Sequence, residues 1–179
     1  VAEGADAAFS IWDCTVKQNP IELAHVTVPG VDNNVRSIWP TPDRKYLATT
    51  ENEPTFQTMK LWSTSSLANI YMVSEYVGPG GIPHRPRIEG DYLYLSHFNS
   101  GVRVLDISVP ECIQEVASFD THPESNEPNY DGCWDVYPHT AGRQTVYATN
   151  GNGNFFILRT DVIATEFVAA PVVGNAPLA

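Results

Sequence analysis

A short strand-like pattern recurs along this chain, and its spacing limits the folds that the chain can adopt. Residues 90–108 read GDYLYLSHFNSGVRVLDIS, which is two alternating runs of apolar residues separated by a polar turn. The end of the second run has equivalents at residues 10–15, 60–64 and 156–160. Corresponding residues follow one another at intervals of 50, 43 and 53 positions, counted through Asp13, Ser63, Asp106 and Arg159. The segment is therefore one unit of a repeat.

A period of about 40 to 50 residues with four strand-like runs is typical of a β-propeller blade. Helical periodicity is almost absent, and Pro, Gly, Asn and Asp clusters separate the runs. The third unit predicts an innermost strand near 84–88, followed by strands near 91–97, 101–107 and 113–119. The second unit spans roughly 34–76, the fourth runs from about 133 to 160, and the first begins at its third strand, near Phe9.

The predicted fold is all-β, with blades of four antiparallel strands. About three and a half blades occupy residues 1–165, and residues 166–179 form a C-terminal tail or linker. Propellers usually close with about 4 to 8 blades, so this stretch predicts part of a larger ring. Because an open ring exposes apolar sheet faces, we expect preceding sequence, a second copy of the chain or another protein subunit to cover them.

Two stretches carry a family resemblance. GDYLYLSHFNSGVRVLDISVPECIQEVASFDT and DGCWDVYPHTAGRQTVYATNGNGNFFIL resemble proteins with LVIVD repeats, the β-propellers of the choice-of-anchor B type. Residues 81–160 match closely, although Cys112 and Ile113 stand where that family usually has Asn-Pro. The second unit departs further, with Ser63 in place of an aspartate. The resemblance implies an extracellular, cell-surface or periplasmic propeller. It identifies the repeat, but it assigns no biochemical role.

Composition excludes some partners. The formal net charge is −11 with 10 Lys and Arg, so nucleic acid and anionic membrane surfaces would be repelled. No apolar run approaches the roughly 18 residues of a spanning helix. The sequence begins at Val1 and shows no signal-peptide pattern, which leaves an already removed signal open. The three cysteines lack metal-ligand spacing, and a bridge between Cys112 and Cys133 is the pairing to test first.

One rim of the predicted propeller is acidic. Loops that emerge on one side of the blades contain no Lys or Arg and carry seven carboxylates: Asp32, Glu51, Glu53, Asp120, Glu124, Glu127 and Asp131. Such a rim is consistent with a solvated surface, with docking of a basic partner, or with a hard cation such as calcium. No DxDxDG-type loop supports dedicated calcium ligation, so no cofactor is predicted.

A second set of candidates lies near the predicted axis. Trp39 and Trp134 fall in or beside innermost strands, where they either pack between blades or form a ligand platform, and His84 and His97 fall close by. The histidines lack paired metal-ligand spacing, no GxSxG motif accompanies them, and GNGN at 151–154 fits a hairpin turn better than a phosphate loop. No catalytic residue or metal is predicted.

Three functions remain open. The first is a non-catalytic extracellular or envelope module for protein–protein interaction or assembly, so the chain is predicted not to be an enzyme. The alternatives are a propeller that binds a small ligand or cation and an enzyme with an axial active site. Polar groups converging on the axis would favour these alternatives, whereas an apolar plugged axis would favour the first.

Overall fold

The computed structural model describes residues 7–30, 35–51, 58–80, 82–125, 127, 129–139 and 145–160. Thirteen strands and no helix lie within these ranges. The predicted tail, residues 166–179, lies outside them. Among the described residues, no helix is long and apolar enough to cross a membrane.

The strands form four antiparallel sheets in chain order. Sheet 1 pairs β1 (Ala8–Asp13) with β2 (Ile21–Thr27). Sheet 2 consists of β3 (Val35–Pro40), β4 (Tyr46–Glu51), β5 (Met59–Ser63) and β6 (Tyr71–Tyr76). Sheet 3 consists of β7 (Arg85–Glu89), β8 (Tyr92–Ser96), β9 (Val102–Asp106) and β10 (Gln114–Phe119). Sheet 4 consists of β11 (Cys133–Tyr137), β12 (Thr145–Asn150) and β13 (Phe155–Arg159).

Each four-stranded sheet is a simple meander, and the four predicted strands of the third unit are confirmed. The turns follow from local chemistry. Gly101 adopts φ +78°, and a Cβ there would collide with the carbonyl oxygen of Phe119, so this turn requires glycine. Asp13 and Asp106 cap equivalent strand ends by accepting backbone N–H groups from Thr15 and Ser108, each at 2.8 Å.

Neighbouring sheets pack face to face through alternating residues. Leu93 and Leu95 of β8 lie in a core shared with sheet 2, which contains Leu61. Tyr94, between them in sequence, points to the core shared with sheet 4, where Val146 is buried. Trp62 is buried between sheets 1 and 2, with its ring centroid 5.3 Å from that of Phe9.

Cys112 and Cys133 do not form the bridge that the sequence left open. All three cysteines are free, with Cys14 and Cys112 exposed and Cys133 fully buried in the core between sheets 3 and 4. Burial raises the pKa of the Cys133 thiol, because a thiolate would lose its solvation there. Cys133 therefore acts as a small apolar side chain.

The sheets do not close into a ring, and sheet 4 has an apolar outer face. Tyr147 and Phe155 lie on that face with ring centroids 5.6 Å apart, beside Tyr137 and Ile157. These four side chains are 37–51% exposed. In a closed propeller the next blade would pack against this surface.

We expect the purified chain to self-associate through this exposed face, because contiguous apolar surface of this kind is unfavourable in water. Light scattering coupled to size exclusion should give a molar mass above that of one chain. Phe155→Thr combined with Ile157→Thr should lower the mass, whereas Val109→Thr, at an exposed turn position, should not. A monodisperse wild-type monomer with cooperative melting would contradict the expectation.

Candidate functional site

Polar side chains converge where the inner strands of sheets 2, 3 and 4 meet. Strand β7 lies between β3 and β11 and contacts both. Its sequence, Arg85-Pro86-Arg87, places two guanidinium groups on one face because side chains alternate along a strand. Pro86 and Ile88 point to the buried face. The alternation therefore directs both arginines to the same side.

Both arginines bind the same carboxylate. Nη1 of Arg85 lies 2.8 Å from Oδ2 of Asp135, and Nη2 of Arg87 lies 3.1 Å from the same oxygen. The other oxygen, Oδ1, accepts the backbone N–H of Val136 at 2.9 Å, which fixes the carboxylate. Two positive charges thus face one negative charge, and the three side chains are 37%, 18% and 28% exposed.

Aromatic rings flank the two arginines. The guanidinium of Arg87 lies 4.5 Å from the ring centroid of Trp39, and that of Arg85 lies 5.9 Å from Trp134. Both distances are within the range of cation–π attraction. Trp134 is 39% exposed, so part of its ring faces solvent beside the charged groups. We call Trp39, Arg85, Arg87, Trp134 and Asp135 the inner-edge cluster.

A histidine–carboxylate pair adjoins this cluster. Nδ1 of His139 lies 2.7 Å from Oε2 of Glu89, and the His139 ring stacks on Trp39 with centroids 5.8 Å apart. An open groove of about 380 Å³ runs beside them. It is lined by Trp39, Pro40, Thr41, Pro42, Arg44, Ile88, Glu89 and His139. The groove gives a ligand access to both a ring face and hydrogen-bonding groups.

The prediction that His84 belongs to an open axial platform is wrong. His84 is 2% exposed, its ring stacks on Phe98, and its Nδ1 lies 2.6 Å from the carbonyl oxygen of Trp134. That contact assigns the ring proton to Nδ1, which donates to the carbonyl. Burial, assisted by the charges of Arg36 and Arg85, lowers the pKa of His84 to about 4. A neutral His84 therefore supports the backbone beneath Trp134 without reaching a ligand.

His97 is also buried instead of facing the axis. It is 1% exposed and packs against Gly78, where a Cβ would collide with the imidazole. Neither ring nitrogen has a hydrogen-bond partner among the described residues. Burial lowers the pKa of His97 to about 4. The ring is therefore a neutral interior group near pH 7.

Four of the acidic-rim residues are exposed as predicted: Asp120, Glu124, Glu127 and Asp131. Asp120 accepts the backbone N–H of His122 at 2.7 Å, and Nδ1 of His122 lies 3.3 Å from Glu124. Within the described ranges, no three His, Cys, Asp or Glu side chains are grouped closely enough to hold a metal. Asp32 and Glu53 lie outside the described residues. A role for the rim in binding stays a prediction.

The prediction that Glu51 belongs to the exposed acidic rim is wrong, because its side chain is buried. Its Oε2 lies 2.6 Å from Nζ of Lys60 and accepts the hydroxyl of Thr58 at 3.0 Å. Lys60 also reaches Glu75 at 3.1 Å. Desolvation raises the pKa of Glu51, and the Lys60 ammonium opposes that shift. The loop sequences contain no Lys or Arg, but Lys60 on β5 neutralises Glu51 from the adjacent strand.

Sequence reasoning found the two tryptophans and missed their charged neighbours, Arg85, Arg87, Glu89, Asp135 and His139. The signal that could have found them is the Arg-Pro-Arg pattern on a predicted innermost strand. It places two like charges on one face, where they need a carboxylate from a neighbouring blade. Asp135 lies on the innermost strand of the next unit.

Comparisons with known proteins identify the fold alone. No family model matches, and no curated protein matches. Among solved structures, a candidate 6-phosphogluconolactonase from Bacteroides fragilis is similar, with a TM-score of 0.64 and 10% identity over 82% of this chain. The computationally designed Ika8 protein has a TM-score of 0.61 and 12% identity over 91% of this chain. Saccharomyces cerevisiae Sqt1 has a TM-score of 0.60 and 14% identity over 75% of this chain.

The likeness confirms the propeller-type fold. This chain covers 42%, 42% and 34% of the three structures, which is less than half of each. The LVIVD resemblance stays a prediction, since none of these proteins bears on it.

The prediction that the chain is not an enzyme is contradicted. One of the structures that shares its fold is described as a candidate lactonase, so this fold is compatible with catalysis. At 10% identity the likeness establishes the architecture and assigns no reaction to this chain. Polar groups also converge at the inner edge. On the sequence argument, such convergence favours a ligand-binding site or an active site over a purely structural role.

Replacing Lys60 tests the buried ion pair. Lys60→Met leaves Glu51 charged and unpaired in the interior, so the free energy of unfolding should fall by about 3 to 5 kcal/mol. Lys60→Met with Glu51→Leu should recover most of that loss. Lys45→Met, which breaks an exposed pair with Asp43, should cost less than about 1 kcal/mol. Urea denaturation measures all three, and a fully stable Lys60→Met variant would contradict the assignment.

The two buried histidines should make stability depend on pH. Their folded pKa values of about 4 lie below the ordinary 6.5, so the unfolded chain binds more protons between these pH values. Stability contributed by the neutral rings is present above pH 6.5 and is lost as the pH falls towards 4. From pH 7 to pH 5 we expect a loss of about 1 to 2 kcal/mol per histidine.

Urea denaturation at the two pH values measures this loss. His84→Gln should reduce the pH dependence, whereas His25→Gln, which removes an exposed histidine, should preserve it. An equal pH dependence in wild type and His84→Gln would show that His84 is not the titrating group.

Proposed function

We propose that this chain is a ligand-binding propeller module whose inner-edge cluster binds a small anionic molecule. The observation that carries the proposal is the pair of arginines on one carboxylate. Arg85 and Arg87 both contact Oδ2 of Asp135, so the cluster keeps a positive surplus. The surplus lies within a chain whose formal net charge is −11.

Arginine suits this task because its planar guanidinium binds carboxylates and phosphates through paired hydrogen bonds. Asp135 holds the two groups side by side and neutralises only one of them. The side chain of Arg85 is 37% exposed, which leaves donors available to a ligand.

The surroundings favour a ligand with a ring. Trp39 and Trp134 offer faces beside the charged groups, and Trp39 also lines the groove next to Glu89 and His139. Sugar rings stack on such faces while their hydroxyl groups bond to nearby polar side chains. The Bacteroides protein is named for a phosphorylated sugar lactone, and a phosphorylated sugar in its ring form would bring both a ring and a negative charge to this site.

A second candidate function is assembly with another protein subunit or another copy of the chain. The exposed outer face of sheet 4 favours it, because Tyr137, Tyr147, Phe155 and Ile157 form an apolar surface. This function uses a different surface from the inner-edge cluster, and the two are compatible.

Calorimetric titration with glucose 6-phosphate, glucose and inorganic phosphate tests the ligand site. Arg85→Gln with Arg87→Gln should weaken binding of the phosphorylated probe by about tenfold or more, since each charge-assisted hydrogen bond contributes roughly 1.5 to 3 kcal/mol. Binding should also weaken as salt is raised. Arg103→Gln is the matched control, because Arg103 pairs with Glu115 on the outer strands of the same sheet.

Three outcomes would overturn the proposal. The first is no heat of binding with any probe, and the second is equal loss in the control and the double variant. The third is retained affinity in a double variant whose circular dichroism matches that of wild type.

A further inference from the structure

Three buried polar residues lie where the loops of sheet 3 meet sheet 4, away from the inner-edge cluster. Asn99, Thr121 and Asn150 are 4%, 4% and 5% exposed. Each has a buried side-chain oxygen without a hydrogen-bond partner among the described residues, namely Oδ1, Oγ1 and Oδ1. We call these three residues the oxygen cluster.

Hydrogen bonds bring the three residues into one junction. Nδ2 of Asn150 donates to the carbonyl oxygen of Thr121 at 2.7 Å, which also leaves Oδ1 of Asn150 as the unpaired end of the amide. Asn150 pairs with Cys133 across sheet 4. The N–H of Cys133 donates at 2.8 Å to the carbonyl oxygen of Phe98, the residue before Asn99.

Gly132 shows how closely the backbones approach. A Cβ at this position would lie 2.9 Å from Cα of Asn99 and would collide with the carbonyl of Phe98. The residue also adopts φ +91°, which favours glycine. The backbone of the turn in sheet 3 is therefore in direct contact with the backbone at the start of sheet 4.

Three unpaired oxygens in one buried junction need a physical explanation. Leaving one buried polar group unsatisfied costs about 1 to 3 kcal/mol, and native proteins keep few such groups. All three atoms can act as acceptors, and amide and hydroxyl oxygens are ligands that hard cations take. The same junction continues into the acidic rim, since Asp120 precedes Thr121 and Asp131 precedes Gly132.

We infer that the oxygen cluster binds a hard cation of the calcium class. Asn99, Thr121 and Asn150 supply neutral buried oxygens, and Asp120 and Asp131, which directly precede Thr121 and Gly132, supply the nearest negative charges. The site connects the loops of sheet 3 with the end of β12 in sheet 4, so its occupancy stabilises the contact between these two sheets. The inference does not depend on the anion site of the inner edge.

The test is a calcium titration of the full chain after treatment with a chelator. Calorimetry and thermal unfolding should show a saturable interaction and a rise in melting temperature beyond that given by sodium chloride of equal ionic strength. Thr121→Val keeps the side-chain shape and removes one oxygen, so it should weaken calcium binding by about tenfold.

Asn99→Asp distinguishes a cation from buried water. With a cation, the added charge should increase calcium affinity, and calcium should rescue the stability of the variant. With water alone, the buried carboxylate should destabilise the chain equally with and without calcium. Glu124→Gln with Glu127→Gln is the control for diffuse attraction, and it should change the affinity by less than about twofold because exposed charges are screened.

Three results would overturn the inference. Wild type could show no response to calcium beyond that to salt, Asn99→Asp could be destabilised without rescue by calcium, or the control could lose as much affinity as Thr121→Val. If Thr121→Val does not fold, the wild-type titration and Asn99→Asp still decide the question.

Discussion

Burial of both faces of each four-stranded sheet is the constraint on which the rest of this structure depends. In sheet 3, Leu93 and Leu95 point to one neighbouring sheet while Tyr94 points to the other. A strand with two buried faces cannot be stable as a lone hairpin, so the sheets must stack. The alternation of residues along each strand therefore determines how the sheets pack on one another. It also leaves the outer face of sheet 4 as an exposed apolar surface.

The same stacking creates both candidate sites, because each site lies at a junction between sheets. Arg85 and Arg87 come from sheet 3 and Asp135 from sheet 4, so the cluster exists only when those sheets pack. The oxygen cluster likewise combines Asn99 and Thr121 with Asn150 of sheet 4. Loss of packing between sheets 3 and 4 would therefore remove both sites at once.

Most of the fold could be predicted from the sequence, since its determinants are local. The alternation in 92–96, the caps at Asp13 and Asp106, and the glycine turn at Gly101 each act within a few residues. The candidate site could be predicted only in part, because its contacts join residues about 50 positions apart. The prediction for Glu51 failed for a second reason: its loop sequence predicted an exposed carboxylate, but its side chain pairs with Lys60 on the neighbouring strand of the same sheet.

The position of charge within the fold bears most directly on function. Hydrophobic clusters fill the space between the sheets, whereas the inner edge keeps two arginines that share one aspartate, next to exposed aromatic surface. If the cluster served packing alone, one arginine for one aspartate would satisfy the charge, and a second guanidinium beside it would add repulsion at close range. An anion from outside the chain relieves that repulsion. The excess charge is therefore easier to explain as part of a ligand site than as part of the core, whatever reaction or binding event the site supports.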